Sequence, residues 1–424
     1  MLSSRERVIK TLNHEEPDRV PLDLGSTQVT GMSVISVYLL RQALGLDEPG
    51  TPVKVVEPYQ MLGEIKSDLR EALGADTVSL KTTKTMFGFR NEGWKPWTFH
   101  DVPVLVPAGF NTDPEPSGDI LQYPEGDKSA PPSGRLPKDG FYFDTIVRQE
   151  FFDEDNLNVD DNVEEFELIS DEDLAFLEQE AKRLYEETDK ALVAELSGMS
   201  FGDIAMVPAP WVKHPRGIRG IEEWYVSTAM RQDYVYAVFE RQCEIALKNL
   251  EKIYSVVGDR VTIAFITGTD FGTQRGPFIS TRAYRTLYKP FHKIITDWIH
   301  KNTHWKAFIH SCGSVYKLIP DFIDAGFDII NPVQTGAAEM GAQRLKDEFG
   351  DKLTFWGGGI DTQTTLPFGT ADEVRAEVRE RLRIFGKGGG YVFNSIHNVQ
   401  AGVSAEKLVA MYETVKDYRN YPVS

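Results

Sequence analysis

Short runs of β-branched and apolar residues recur along this chain, and most are followed by a stretch with apolar residues at helical spacing. They fall at 19–24, 76–80, 203–207, 261–266, 305–309, 328–331, 353–357 and 391–394. A strand buried on both faces reads as a continuous apolar run, whereas a covering helix repeats with a period near 3.6. Segments 282–300, 315–325 and 371–385 carry that helical period. Such alternation marks a parallel α/β fold, and eight strands are what a closed (β/α)8 TIM barrel needs. An open doubly wound sheet would gather its functional groups in one crevice. Here polar residues follow several different strands, which favours the barrel.

At 424 residues with 41% hydrophobic content, the chain can bury the core of one barrel domain spanning residues 1–424. Two stretches depart from the alternation. Segment 109–140 is rich in Pro, Gly and Asp and reads as a surface insertion carrying hairpins: a lid, a partner surface or simply a mobile loop. Segment 153–187 is acidic, turns helical from about Asp171, and reads as a solvated connector.

The formal charge of −18 argues against a nucleic-acid partner, which needs a basic face. No run of apolar residues reaches the length of a membrane span, and the charged opening Arg5-Glu6-Arg7 leads into an amphipathic helix. The expected location is the cytoplasm, with no membrane partner. Two cysteines, Cys243 and Cys312, cannot build a disulfide scaffold. Cys243 lies in a strongly helical stretch and reads as core.

The sharpest local feature is His310-Ser311-Cys312-Gly313, directly after the run 305–309. Residues i and i+2 of an extended segment face the same side, so His310 and Cys312 point together into the barrel mouth. An imidazole nitrogen and a thiolate suit Zn²⁺. Two ligands do not make a site, and a buried histidine beside a core thiol is the bland alternative. A third ligand is available in His397, after the last strand, whose end faces that of His310 across a closed barrel. Two nitrogens and one sulfur with a fourth position open is the pattern of a catalytic zinc.

Other strand ends offer polar groups. Asp270 follows the run 261–266, as a proton acceptor, a ligand-orienting group or a turn cap, and Gln274 lies just beyond it. Asn331 and Gln334 follow 328–331 as neutral hydrogen-bonding groups. Gly357-Gly358-Gly359-Ile360-Asp361 lets backbone approach a ligand, with Gly358 and Asp361 as binding candidates. Asp23 and Gly25-Ser26 follow the first strand and are placed to line the same mouth.

These strings resemble the uroporphyrinogen decarboxylase-like superfamily. The likeness rests on Arg5-Glu6-Arg7-Val8 through Asn13-His14-Glu15-Glu16-Pro17-Asp18-Arg19-Val20-Pro21 and on Gly272-Thr273-Gln274-Arg275-Gly276-Pro277. It extends to His310-Ser311-Cys312-Gly313, Gly358-Gly359-Ile360-Asp361 and Asn394-Ser395-Ile396-His397-Asn398. The resemblance implies a barrel fold and one of two chemistries. Metal-independent decarboxylases of the family carry an Arg-Gln-Ala-Gly-Arg signature that grips porphyrinogen carboxylates. The nearest string here, Arg41-Gln42-Ala43-Leu44-Gly45, lacks the second arginine. The other branch is zinc-dependent methyltransferases that move a methyl group between a corrinoid (cobalamin) protein and a thiol or methylated substrate. Its metal motif is His-x-Cys followed much later by a cysteine near the last strand. His310 and Cys312 match, and His397 stands where that cysteine is expected.

The resemblance therefore implies a methyltransferase or demethylase. Zn²⁺ would sit on His310, Cys312 and His397, a corrinoid protein would be the partner, and the substrate would be a small methyl donor or acceptor. Asp270, His310 and Cys312 would serve the chemistry, while Gln274, Asn331, Gln334, Gly358 and Asp361 would orient the substrate. A decarboxylase of the uroporphyrinogen type is the alternative, and a non-catalytic corrinoid- or tetrapyrrole-binding protein is a third reading. A homodimer is the commonest assembly for such enzymes.

Overall fold

The computed structural model describes residues 2–196 and 198–423. Seven parallel strands form one curled sheet: β1 (Thr77–Leu80), β2 (Ala191–Glu195), β3 (Val261–Thr267), β4 (Lys306–His310), β5 (Ile329–Asn331), β6 (Thr354–Trp356) and β7 (Tyr391–Val392). Each pairs with its neighbours in chain order. Segment 19–24 supplies the eighth member and joins the two edges. Leu22 pairs in parallel with Phe393. The Asp23 N–H donates to the Phe393 carbonyl at 2.9 Å, and the Phe393 N–H to the Pro21 carbonyl at 2.8 Å. On the other side, the Asp76 N–H reaches the Leu22 carbonyl at 2.7 Å, just before β1. Pro21 has no N–H to give, which explains why this segment is a clasp and not a regular strand.

One expected strand is corrected. Segment 203–207 is a turn, and the third barrel strand is β2, following helix Asp171–Glu187. The Asp203 carbonyl accepts from both Met206 and Val207 N–H groups at 2.8 Å, which curls the apolar run. The β2 sequence ALVAE contains a single β-branched residue and directly follows the acidic helix, so its strand signal is weak.

Alternate strand residues fill the barrel interior: Val193, Ile263, Phe265, Phe308, Ile329, Trp356 and Val392. Val8 and Leu12 of helix Ser4–Leu12 pack into the same cluster. That helix begins with a Ser3–Glu6 capping box and plugs the bottom of the barrel. The opposite residues of the strands pack outward against the helices in the larger core.

The expected helix over 282–300 is interrupted. A π-helical turn, Tyr284–Tyr288, precedes Lys289–Asn302. Pro290 lacks an N–H, and the wider turn absorbs that gap. Helix Ala371–Gly386 lies where its spacing places it. On either side of β1 in sequence, and before helix Asp171–Glu187, the chain builds two further sheets, one mixed, with Val53–Glu57 parallel to Val102–Val106, and one antiparallel. Strands Val53–Glu57 and Leu62–Gly63 join Lys95–Phe99 and Val102–Val106, while Ile120–Gln122, Gly134–Leu136 and Asp144–Thr145 form the second. The hairpin expected within 109–140 is therefore part of a longer excursion. Its Phe87, Phe110 and Phe143 belong to the main core. Among the described residues, no helix is long and apolar enough to cross a membrane.

Candidate metal centre

His310 is the last residue of β4, in register with Asn331 of β5. The Asn331 Nδ2 donates to the Trp356 carbonyl at 2.8 Å, so its Oδ1 faces His310 Nδ1 at 2.5 Å as an acceptor. His310 thus carries its proton on Nδ1 and turns the Nε2 lone pair inward. Cys312 Sγ lies 3.3 Å from that Nε2. His397, in the loop after β7, brings its ring centroid to 5.3 Å from that of His310 at 70°. One ligand atom from each of His310, Cys312 and His397 lies within 4.8 Å of the others.

This donor set fits a zinc ion. Bonds of about 2.3 Å to sulfur and 2.0–2.1 Å to nitrogen at tetrahedral angles place S and N roughly 3.5 Å apart, close to the observed 3.3 Å. Burial holds both histidines down to about 4, so each is neutral and able to ligate near pH 7. Burial, with the charges of Asp270 and Asp203, pushes the Cys312 thiol well up. A bound cation reverses that penalty, because a coordinating thiol gives up its proton.

Loop 310–314 is fastened on every side. The Cys312 N–H donates to Asp270 Oδ1 at 2.6 Å, and the Gly313 N–H to Gln334 Oε1 at 2.8 Å. The Ser311 hydroxyl accepts the Phe271 N–H at 2.9 Å, and Ser314 N–H reaches the Thr273 carbonyl at 2.7 Å. Gly313 has φ +83°, and a Cβ there would stand 2.4 Å from the Gly272 carbonyl carbon. Only glycine permits that approach. Asp270 Oδ1 is 3.9 Å from His310 Nε2, and 28% of the Asp270 side chain remains exposed, which leaves this carboxylate open to a ligand. Burial pushes its carboxyl upward.

The remaining expected residues divide. Asn331 and Gln334 hold His310 and Gly313 as described. Gly358 has φ +71° and packs against Val333, where a Cβ would lie 2.8 Å from the valine Cβ. Asp361 Oδ1 accepts the N–H groups of Gln363 and Thr364 at 2.7 and 3.0 Å, the work of a turn cap. Gln274 is exposed and donates to Gln363 Oε1 at 3.2 Å. Asp23 does not line an open mouth: it is fully buried, bonded by Thr77 Oγ1 at 2.6 Å, Trp356 Nε1 at 2.8 Å and Ser26 N–H at 3.2 Å. Cys243 is buried in helix Gln232–Val257, its thiol pushed up to about 12.

Sequence reasoning missed Asp203 and Tyr225. Burial and the Asp270 charge push the Asp203 carboxyl up to about 7. The Tyr225 hydroxyl is buried without a hydrogen-bond partner among the described residues, and burial, with the charges of both aspartates, pushes it up. Reading β2 correctly would have put Asp203 in the loop after a barrel strand, where functional groups gather.

A barrel with a histidine–cysteine constellation at its C-terminal mouth defines the class. Residues 227–418 match the family model described as Uroporphyrinogen decarboxylase (URO-D). Over that stretch, which runs from within helix Ile221–Met230 to the end of the last helix, the chain is similar to the uroporphyrinogen decarboxylase family. Among solved structures, a methyltransferase from Methanosarcina mazei shares the fold, with a TM-score of 0.53 at 14% identity over 99% of each chain. No curated protein matches the sequence.

Proposed function

We propose that this chain is a zinc-dependent methyltransferase or demethylase that moves a methyl group between a small substrate, a thiol or a methylated compound, and a corrinoid carried by a partner protein. The observation that carries this reading is the convergence of His310, Cys312 and His397 within 4.8 Å at the mouth. The family match and the methyltransferase neighbour agree with it.

Bound there, Zn²⁺ would act as a Lewis acid, making a thiol nucleophilic or polarising an ether oxygen as its methyl leaves. Asn331 fixes the His310 tautomer, so Nε2 is available without a proton transfer. Asp270 holds the Cys312 backbone, and its exposed face orients the substrate. Gln334 keeps the Gly313 turn closed beneath Cys312.

The decarboxylase alternative wants free arginine to grip carboxylates. Arg41 is 1% exposed and fully engaged, with Asp47 at 2.5 Å and Asp68 at 2.7 Å. Its Nε, Nη1 and Nη2 all donate to these two carboxylates, which commits the side chain to the fold.

Mixing the zinc-loaded protein with methylcobalamin and a simple alkanethiol tests the proposal, followed by loss of the methylcobalamin absorbance. Turnover that falls at least 100-fold in Cys312→Ser is the expected outcome, in line with loss of a group acting at the reacting centre. A rate unchanged from the parent's in that variant and after zinc removal would overturn it. Metal-independent CO₂ release from a carboxylic acid would favour the decarboxylase.

A further inference from the structure

Behind the Asp270 wall lies a cavity of about 20 Å³, between loop 199–207 and the helices Ile221–Met230 and Gln232–Val257. Ser200, Asp203, Trp224 and Gln242 give it a polar lining. One water needs roughly 10–15 Å³ of such space and two to four polar partners. Trp224 is 2% exposed, and its indole N–H makes no well-formed hydrogen bond among the described residues, with the Tyr288 hydroxyl as its nearest alternative acceptor. Gly202, at φ +62°, lets the backbone pass close by, since a Cβ there would stand 2.9 Å from Trp224 Nε1.

Asp203 is 8% exposed, and its Oδ1 accepts one backbone N–H, from Ala205 at 3.0 Å. Its loop is pinned to the end of β3: the Gly268 N–H donates to Ser200 Oγ at 3.3 Å, and Thr269 Oγ1 donates to the Phe201 carbonyl at 2.9 Å. Asp203 Oδ2 therefore packs on Gly268, two residues before Asp270, with 3.1 Å between it and a Cβ built there.

From this geometry we propose that the cavity binds one water molecule, which accepts from the Trp224 indole and donates to the Asp203 carboxyl, and that Asp203 with its water is a proton-holding positioning residue one layer behind Asp270. Two neighbouring carboxyls in a buried setting do not both ionise readily. Each accepts one backbone N–H, Asp270 from Cys312 and Asp203 from Ala205, but Asp270 keeps 28% of its side chain exposed whereas Asp203 is buried, so the proton rests on Asp203. Its pKa, pushed up to about 7 by burial and by Asp270, agrees. Tyr225 faces both aspartates from its helix. Across the cavity Glu165 and Arg219 pair with each other at 2.7 Å and leave no free cation for Asp203.

The inference stands apart from the methyl-transfer reading, because it is read without substrate or turnover. A high-resolution crystal structure should place density within hydrogen-bonding distance of Trp224 Nε1 and the Asp203 carboxyl. Infrared difference spectra of the as-purified protein should lose a protonated-carboxyl band as the pH rises through about 7, and Asp203→Asn should lack that band while keeping the water. Trp224→Phe should keep the fold and lose the water. A dry cavity with the Trp224 N–H bonded to the Tyr288 hydroxyl would overturn the water site. A band unchanged in Asp203→Asn would overturn the proton assignment.

Discussion

Two walls of the barrel carry buried polar groups, yet they are built on opposite plans. On the wall where the barrel closes, Asp23 takes hydrogen bonds from Thr77, Trp356 and the Ser26 backbone, so both carboxyl oxygens are engaged. On the facing wall His310 Nε2, Cys312 Sγ and His397 turn their donor atoms toward one another, and Asp270 keeps part of its side chain in solvent. Polar groups that satisfy one another hold a fold together, while groups that converge with lone pairs to spare await a ligand. Burial alone does not separate the two, for Asp23 is as deeply placed as His310. The bonding pattern does.

That contrast can be broken most forcefully at Asp23. Asp23→Ala would strand the Thr77 hydroxyl and the Trp356 indole in the interior and is expected to cost roughly 3 kcal/mol or more of stability. Urea unfolding would measure it, and zinc affinity of the folded protein should stay within about twofold of the parent, since the lost contacts lie on the other wall. A large change in zinc affinity with little change in stability would erase the division.

Asn331→Ala should do the converse. Freed of its acceptor, His310 loses its fixed tautomer, and zinc affinity is expected to fall about 10–100-fold in a chelator competition. The loss in stability should be smaller than for Asp23→Ala, although Asn331 also donates to the Trp356 carbonyl.

The smallest effect is expected at Glu57, which is 8% exposed and accepts the N–H groups of Tyr59 and Gln60 at 3.1 and 2.7 Å. Burial lifts its carboxyl from 4.5 to about 7. The folded chain thus keeps a proton that the unfolded chain has released, and stability falls as the pH rises between those values. Glu57→Gln keeps an acceptor and removes the charge. Its melting temperature, lowered in mild acid by the lost second acceptor, should gain on the parent's by an equivalent of roughly 1–3 kcal/mol between pH 5 and pH 8. Equal pH slopes in the two proteins would contradict this.

Much of this contrast was legible in the sequence. Strands β3 to β7 are buried on both faces, so their apolar runs stand out. The period of two along an extended chain paired His310 with Cys312, and closure of the barrel brought His397 to them. The hidden parts depend on tertiary contacts. The short, weakly β-branched β2 follows a helix without a turn signal, and the run at 203–207 is curled by hydrogen bonds that no local pattern announces. Asp203 comes to lie behind Asp270 only because loop 199–207 folds back onto the end of β3. The strand position of Asp23 is that of a mouth residue, and nothing local in the sequence says otherwise. Its partners Thr77 and Trp356 come from far along the chain, and only the folded barrel brings them to it.

The central claim is that His310, Cys312 and His397 together hold one metal ion. Zinc content of the protein purified without a chelating tag, measured beside His310→Ala, Cys312→Ser and His397→Ala, tests it most directly, with X-ray absorption to count the ligands. Near one zinc per chain, bound by two nitrogens and one sulfur from the protein and lost in all three variants, is the expected result. Zinc retained in full by His397→Ala, or a wild-type protein that binds none after reconstitution, would contradict it.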